Sequence, residues 1–124
     1  MMVSRGEIWL VHLNPIKKKN EMGKVRPVLV YQNDELNHSD YPTTIVIPLS
    51  THLIDEAEPI RYRVNKKDKL EKYSDLVITQ IGAIDNDRFI EKLTTLSNKQ
   101  MEKVKELFDE IAGSEHNVGT IINV

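Results

Sequence analysis

The sequence predicts a mainly β domain, a curled sheet or small barrel, closed by one C-terminal helix. Three observations predict it. Strand-length apolar runs separated by polar loops fill the chain up to Thr95. One of them, Ile60 to Val64, alternates with period two. Helical periodicity with a proper start signal occurs in a single stretch, from Ser97 onward.

Glu7 to Leu13 (EIWLVHL) is apolar at almost every position and stops at Asn14-Pro15, the pattern of a strand buried on both sides. Ile16 to Lys24 lacks periodicity and contains Gly23, so it reads as a loop leading to a second strand, Arg26 to Tyr31. Asn33 to Pro42 is a second polar loop. Thr43 to Ile47 makes a third strand, which Pro48 ends or places on an edge because proline has no N–H for a ladder. Ile60, Tyr62 and Val64 share a core face, and Arg61 and Arg63 share a wet one. Ser74 to Ile84 reads as one long strand bending at Gly82, and Ile90 to Thr95 as a short one, for five or six strands altogether.

Ser97 and Gln100 have the spacing of a capping box, and Leu96 and Met101 that of a hydrophobic staple. Met101, Val104, Leu107 and Ile111 then form one apolar stripe that ends before Gly113. The whole of 1–124 is expected to be one domain. Residues 113–124 are its tail, in which Thr120 to Val124 either adds an edge strand or frays.

Composition excludes several classes. With 40% apolar and 29% charged residues the chain falls among globular proteins and outside the disordered ones. The longest apolar runs, Pro27 to Tyr31 and Thr44 to Leu49, fall well short of the ~18 residues of a membrane span. No apolar h-region with a small-residue cleavage site opens the chain, so a cytoplasmic location is expected. The absence of cysteine removes disulfides, thiolate catalysis and thiolate metal sites. A net charge of -2 leaves nucleic-acid binding to a local patch and not to bulk charge. His12, His38, His52 and His116 lack metal-ligand spacing and no glycine loop cradles phosphate, so neither a metal nor a cofactor is expected.

Three segments carry a resemblance: Arg5-Gly6-Glu7-Ile8-Trp9; Gly23-Lys24-Val25-Arg26-Pro27-Val28-Leu29-Val30 running on to Gln32-Asn33-Asp34; and Thr44-Ile45-Val46-Ile47-Pro48-Leu49-Ser50-Thr51. A fourth, Gln80-Ile81-Gly82-Ala83-Ile84-Asp85, and the closing Leu96-Ser97 helix extend it over about residues 5 to 112. In this order and spacing the chain resembles the MazF/PemK family of toxins. The resemblance implies an SH3-like β-barrel with a C-terminal helix, also the barrel of the CcdB relatives, and a metal-independent endoribonuclease of a type II toxin–antitoxin system. It further implies a homodimer, a groove for single-stranded RNA along the dimer interface, and a cognate antitoxin whose disordered tail fills that groove.

Such a reaction uses the neighbouring 2′-hydroxyl as nucleophile, and it needs a base, a donor to the leaving oxygen, and positive charge at the phosphorane. Arg26 is the candidate for that charge, since a guanidinium offers paired planar donors and stays protonated. It also falls where the family has its catalytic arginine. The bland alternative is a surface arginine paired with a carboxylate. By resemblance Glu21 is the candidate base, although Met22 stands where the family usually has glutamine. Ser50 and Thr51 fall where related toxins bond the scissile phosphate; as plain chemistry they also suit a turn that caps its own backbone. Gly82 stands where many relatives carry a basic residue.

Lys17, Lys18, Lys19 and Lys24 offer charge for the RNA backbone, as do Arg61, Arg63, Lys66 and Lys67, and the fourth motif adds Gln80 and Asp85. Trp9 and Tyr62 read as core and not as stacking platforms. A non-catalytic poison like the gyrase-binding CcdB relatives, or a degenerate relative that only binds antitoxin, is the other reading.

Overall fold

Gly6 turns the chain into its first strand with a φ of +93°, a conformation that strains any residue with a Cβ. Its N–H donates to the Val30 carbonyl, and its own carbonyl accepts from Leu96. The computed structural model describes residues 2–13 and 24–113. They form β1 (Glu7–His12), β2 (Val25–Val30), α1 (Asp34–Asn37), β3 (Thr43–Ser50), β4 (Arg61–Val64), β5 (Ser74–Val77), β6 (Gly82–Asp85), β7 (Phe89–Thr95) and α2 (Asn98–Ala112). The strands make one antiparallel sheet in the order β4-β5-β3-β2-β1-β7, and β6 also pairs with β3.

The sheet curls around two apolar clusters. On one face Ile8, Leu29, Ile47, Leu49, Val64 and Leu76 pack beneath Met101, Val104 and Leu107 of α2. On the other, Trp9, Val11, Val28, Val30, Val46 and Phe89 pack together, with Trp9 and Phe89 edge to face at 5.7 Å. Period-two alternation sends neighbouring residues of β2 and β3 into different clusters, so both strands read as continuously apolar. The start of α2 follows the expected signals. Ser97 Oγ accepts from the Gln100 N–H (3.1 Å), Gln100 Oε1 accepts from the Ser97 N–H (2.8 Å), and Leu96 and Met101 are both buried.

The structure differs from the sequence expectations in several places, and the described residues hold seven strands where five or six were expected. Pro48 neither ends β3 nor lies on an edge; it sits inside the strand opposite Val28. The stretch Ser74 to Ile84 breaks at a 3-10 turn, Ile78–Gln80, and not at Gly82. One fact explains both. Ser50 pairs with Asp75 but Val46 pairs with Gly82, so three extra residues must be absorbed beside β3. The turn absorbs them, and Pro48 faces the gap, where no N–H is required of it. In the second polar loop, the Asn33 side chain caps the short α1, and the buried Gln32 side chain bonds Asn37, Thr43 and Ile45. Ile60 is 45% exposed, and the opposite face of β4 is not simply wet. The loop expected at Ile16 to Lys24, apart from Lys24, and the Thr120 to Val124 run lie outside the described residues.

Candidate active site

The cleft at one end of the sheet is set by strand register. Val28 lies opposite Pro48 at the end of the β2–β3 ladder, and two residues beyond it on each strand stand Arg26 and Ser50. Both side chains then fall on one face. Val25, Arg26, Pro27, Leu49, Ser50, Thr51 and His52 line a cleft of about 360 Å³ there. Arg26 is half-buried and rooted by Val28 and Val30, which are fully buried. Among the described residues no carboxylate forms an ion pair with it.

The two hydroxyls are not equivalent. Ser50 Oγ accepts from the His52 N–H at 3.1 Å and shapes the turn, while its own proton remains available. The Thr51 side chain is exposed at the cleft and makes no hydrogen bond among the described residues. Thr51 and Pro27 also border an adjoining cleft of about 300 Å³ with Leu10, Leu70, Leu93 and Lys69, the last paired with Glu91.

Beyond Ser50 the ladder continues to Asp75 and Arg63. The Asp75 carboxylate is 1% exposed and fully engaged: Oδ1 accepts from Arg63 Nε (2.5 Å), and Oδ2 from the Ile54 N–H (2.9 Å) and Arg61 Nη1 (3.3 Å). Burial alone pushes its pKa up, but the Arg63, Ile54 and Arg61 hydrogen bonds outweigh this and hold it below the ordinary carboxylate value. Arg61 also donates to the His52 carbonyl (2.9 Å), and Arg63 to Asp55 (2.9 Å). These two arginines, read from sequence as charge for RNA, are spent on internal pairs. Asp75 went unnoticed in the sequence; its signal is a lone carboxylate in an apolar run opposite two alternating arginines.

The other expected residues are placed as follows. Glu21, Lys17, Lys18 and Lys19 lie outside the described residues. Lys24 is exposed at the entrance to β2, and its carbonyl accepts from the Leu13 N–H. Gln80 is exposed in the 3-10 turn, and Asp85 is exposed and pairs with Thr43 at the far end of β3. At ~3.3 Å per residue that end lies roughly 23 Å from Ser50. Neither lines the Arg26 cleft of its own chain. No set of three or more His, Asp or Glu side chains gathers for a metal among the described residues.

A curled antiparallel sheet capped by one helix, with a guanidinium and a hydroxyl turn in a terminal cleft, defines a small barrel-like domain. The family model for the PemK-like, MazF-like toxins of type II toxin–antitoxin systems matches residues 4–112, and the chain belongs to that family. It is 37% identical over 110 residues to the endoribonuclease MazF of Staphylococcus saprophyticus, covering 87% of this chain and 89% of that protein. Among solved structures, MazF in a MazE–MazF crystal from Deinococcus radiodurans superposes with a TM-score of 0.73 at 14% identity, over 93% of this chain and 99% of that one. A mycobacterial endoribonuclease in complex with its cognate antitoxin gives 0.70 at 16% identity, over 90% and 96%. At these identities the structures speak for the fold.

Proposed function

We propose that this toxin is an endoribonuclease that cuts single-stranded RNA, with Arg26 and Thr51 holding the scissile phosphate in the terminal cleft. The carrying observation is that β2–β3 register and the Ser50 turn bring a guanidinium and a free hydroxyl into one cleft. The 2′-oxygen attacks phosphorus as its proton passes to a base, and the bond to the 5′-oxygen breaks as that oxygen gains a proton. A 2′,3′-cyclic phosphate and a 5′-hydroxyl result. Arg26 offsets the charge that builds on the phosphorane oxygens, and Thr51 donates to one of them. Resemblance alone assigns the base to Glu21. An unpaired strand is the substrate because a flexible nucleotide reaches in-line geometry that a duplex forbids.

The molecule acts as a homodimer opposed by a cognate antitoxin, consistent with relatives crystallised with MazE or with a cognate antitoxin. Lys24 sits near the cleft as a backbone contact, whereas Gln80 and Asp85 reach RNA only if a second copy presents them. No described helix is long and apolar enough to cross a membrane.

The test incubates purified protein with a mixed single-stranded RNA in excess EDTA and maps the ends. Wild type is expected to leave cyclic-phosphate ends, and Arg26→Ala to cut about 100- to 1,000-fold more slowly. Intact RNA with wild-type protein overturns the proposal, and inhibition of gyrase instead would place the chain with the non-catalytic poisons.

A further inference from the structure

The Ser50–Thr51–His52 turn opens a segment that runs to Arg61 without helix or strand. A segment like this has no ladder to fix it, yet it is gripped at close intervals by side chains from β4 and β5. Arg61 holds the His52 carbonyl, Asp75 holds the Ile54 N–H, and Arg63 holds the Asp55 carboxylate. Asp75 is also the ladder partner of Ser50, so the same residue faces the start of the turn and ties down its continuation. Thr51 is thereby bracketed: Ser50 is fixed by the sheet, and His52 is fixed through both its N–H and its carbonyl.

From this geometry we infer that Asp75, with Arg61 as its arm, is a positioning residue that sets where the Thr51 hydroxyl stands relative to Arg26. The inference rests on the nuclease reading above. Ser50, Asp75 and Arg63 are paired in one row across β3, β5 and β4, and Arg26 shares the cleft at its Ser50 end. Arg26 pairs with no carboxylate among the described residues, while Arg63 and the neighbouring Arg61 are paired with Asp75 and Asp55 and serve as a scaffold. A sub-ångström shift of a hydroxyl whose bond to the phosphate strengthens in the transition state lowers kcat more than it weakens substrate binding.

The experiment measures kcat and KM for RNA cleavage by the full-length toxin carrying Asp75→Asn, Arg61→Met or Arg61→Lys, each at a temperature well below its melting point. Asp75→Asn is expected to lower kcat about 10- to 100-fold while KM changes less than about 3-fold. Arg61→Met leaves Asp75 with Arg63 and Ile54, so it reports on the turn even if Asp75→Asn fails to fold. It is expected to lower kcat about 10-fold, and Arg61→Lys is expected to recover part of that loss. In a Thr51→Val background Asp75→Asn should lower kcat by no more than about 3-fold, because the group it positions is gone. A lower melting temperature with unchanged kcat in Asp75→Asn and Arg61→Met, or full additivity with Thr51→Val, overturns the inference. If wild type itself leaves RNA intact, the nuclease reading fails instead.

Discussion

At the scale of single residues, the placement of Arg26 and Thr51 was legible in the sequence because both fall at strand ends; the roles proposed for them rest on side-chain chemistry and resemblance. Ser50 was only half legible. Its hydroxyl acts chiefly on its own backbone, accepting from His52, and that choice between substrate and turn is made by a geometry no pattern displays. The two hydroxyls are therefore expected to separate. Thr51→Val should slow cleavage about 100-fold with little change in melting temperature, since it removes one donor to the phosphorane and no internal bond. Ser50→Ala should slow it less, about 10-fold, because the turn loses an acceptor for the His52 N–H while Thr51 keeps its hydroxyl. Single-turnover rates with one short RNA decide it; equal losses from both variants would refute the division. Asp75 was illegible for a further reason. A buried carboxylate is tolerable only if partners from other segments converge on it, and here they come from Ile54, Arg61 and Arg63.

Elements were legible where the signal is local. The start of α2 is written in Ser97, Gln100, Leu96 and Met101, and its inner face in a stripe of three- and four-residue steps. Leu107 on that stripe is 3% exposed, so Leu107→Ala should cost roughly 2–5 kcal/mol by leaving a cavity between helix and sheet. Ser97→Ala removes one cap and should cost about 1 kcal/mol. Denaturant unfolding followed by circular dichroism measures both, and a smaller loss for Leu107→Ala than for Ser97→Ala would contradict the packing described. The break at Ile78–Gln80 was not legible. Ile78 is fully buried and apolar like its neighbours, and what interrupts the strand is the spacing of its two partners along β3, a property of the pairing and not of the segment.

For the whole molecule, acid sensitivity follows from two carboxylates. Burial raises the pKa of Asp34, but bonds from the Arg5 N–H and the Asn37 side chain, with the nearby His38 and Arg5 charges, bring it below its ordinary value; Asp75 is lowered through Arg63, Ile54 and Arg61. A folded pKa below the unfolded 3.8 means the folded state binds its protons later, so this stability is complete above about pH 5 and is lost as pH falls through the folded values. Melting temperature should hold from pH 7 to about 5 and fall below 4, and Asp75→Asn should flatten that fall. An unchanged acid slope in the variant would show that the buried Asp75 does not govern it.

β3 lends its first half to β6, its second half to β5 and part of its other edge to β2. A strand shared in this way leaves the domain no hinge line along which to come apart. Heat, a nick or a protease that frees either half loosens the floor of the terminal cleft along with both apolar clusters, so the cleft and its support are lost together.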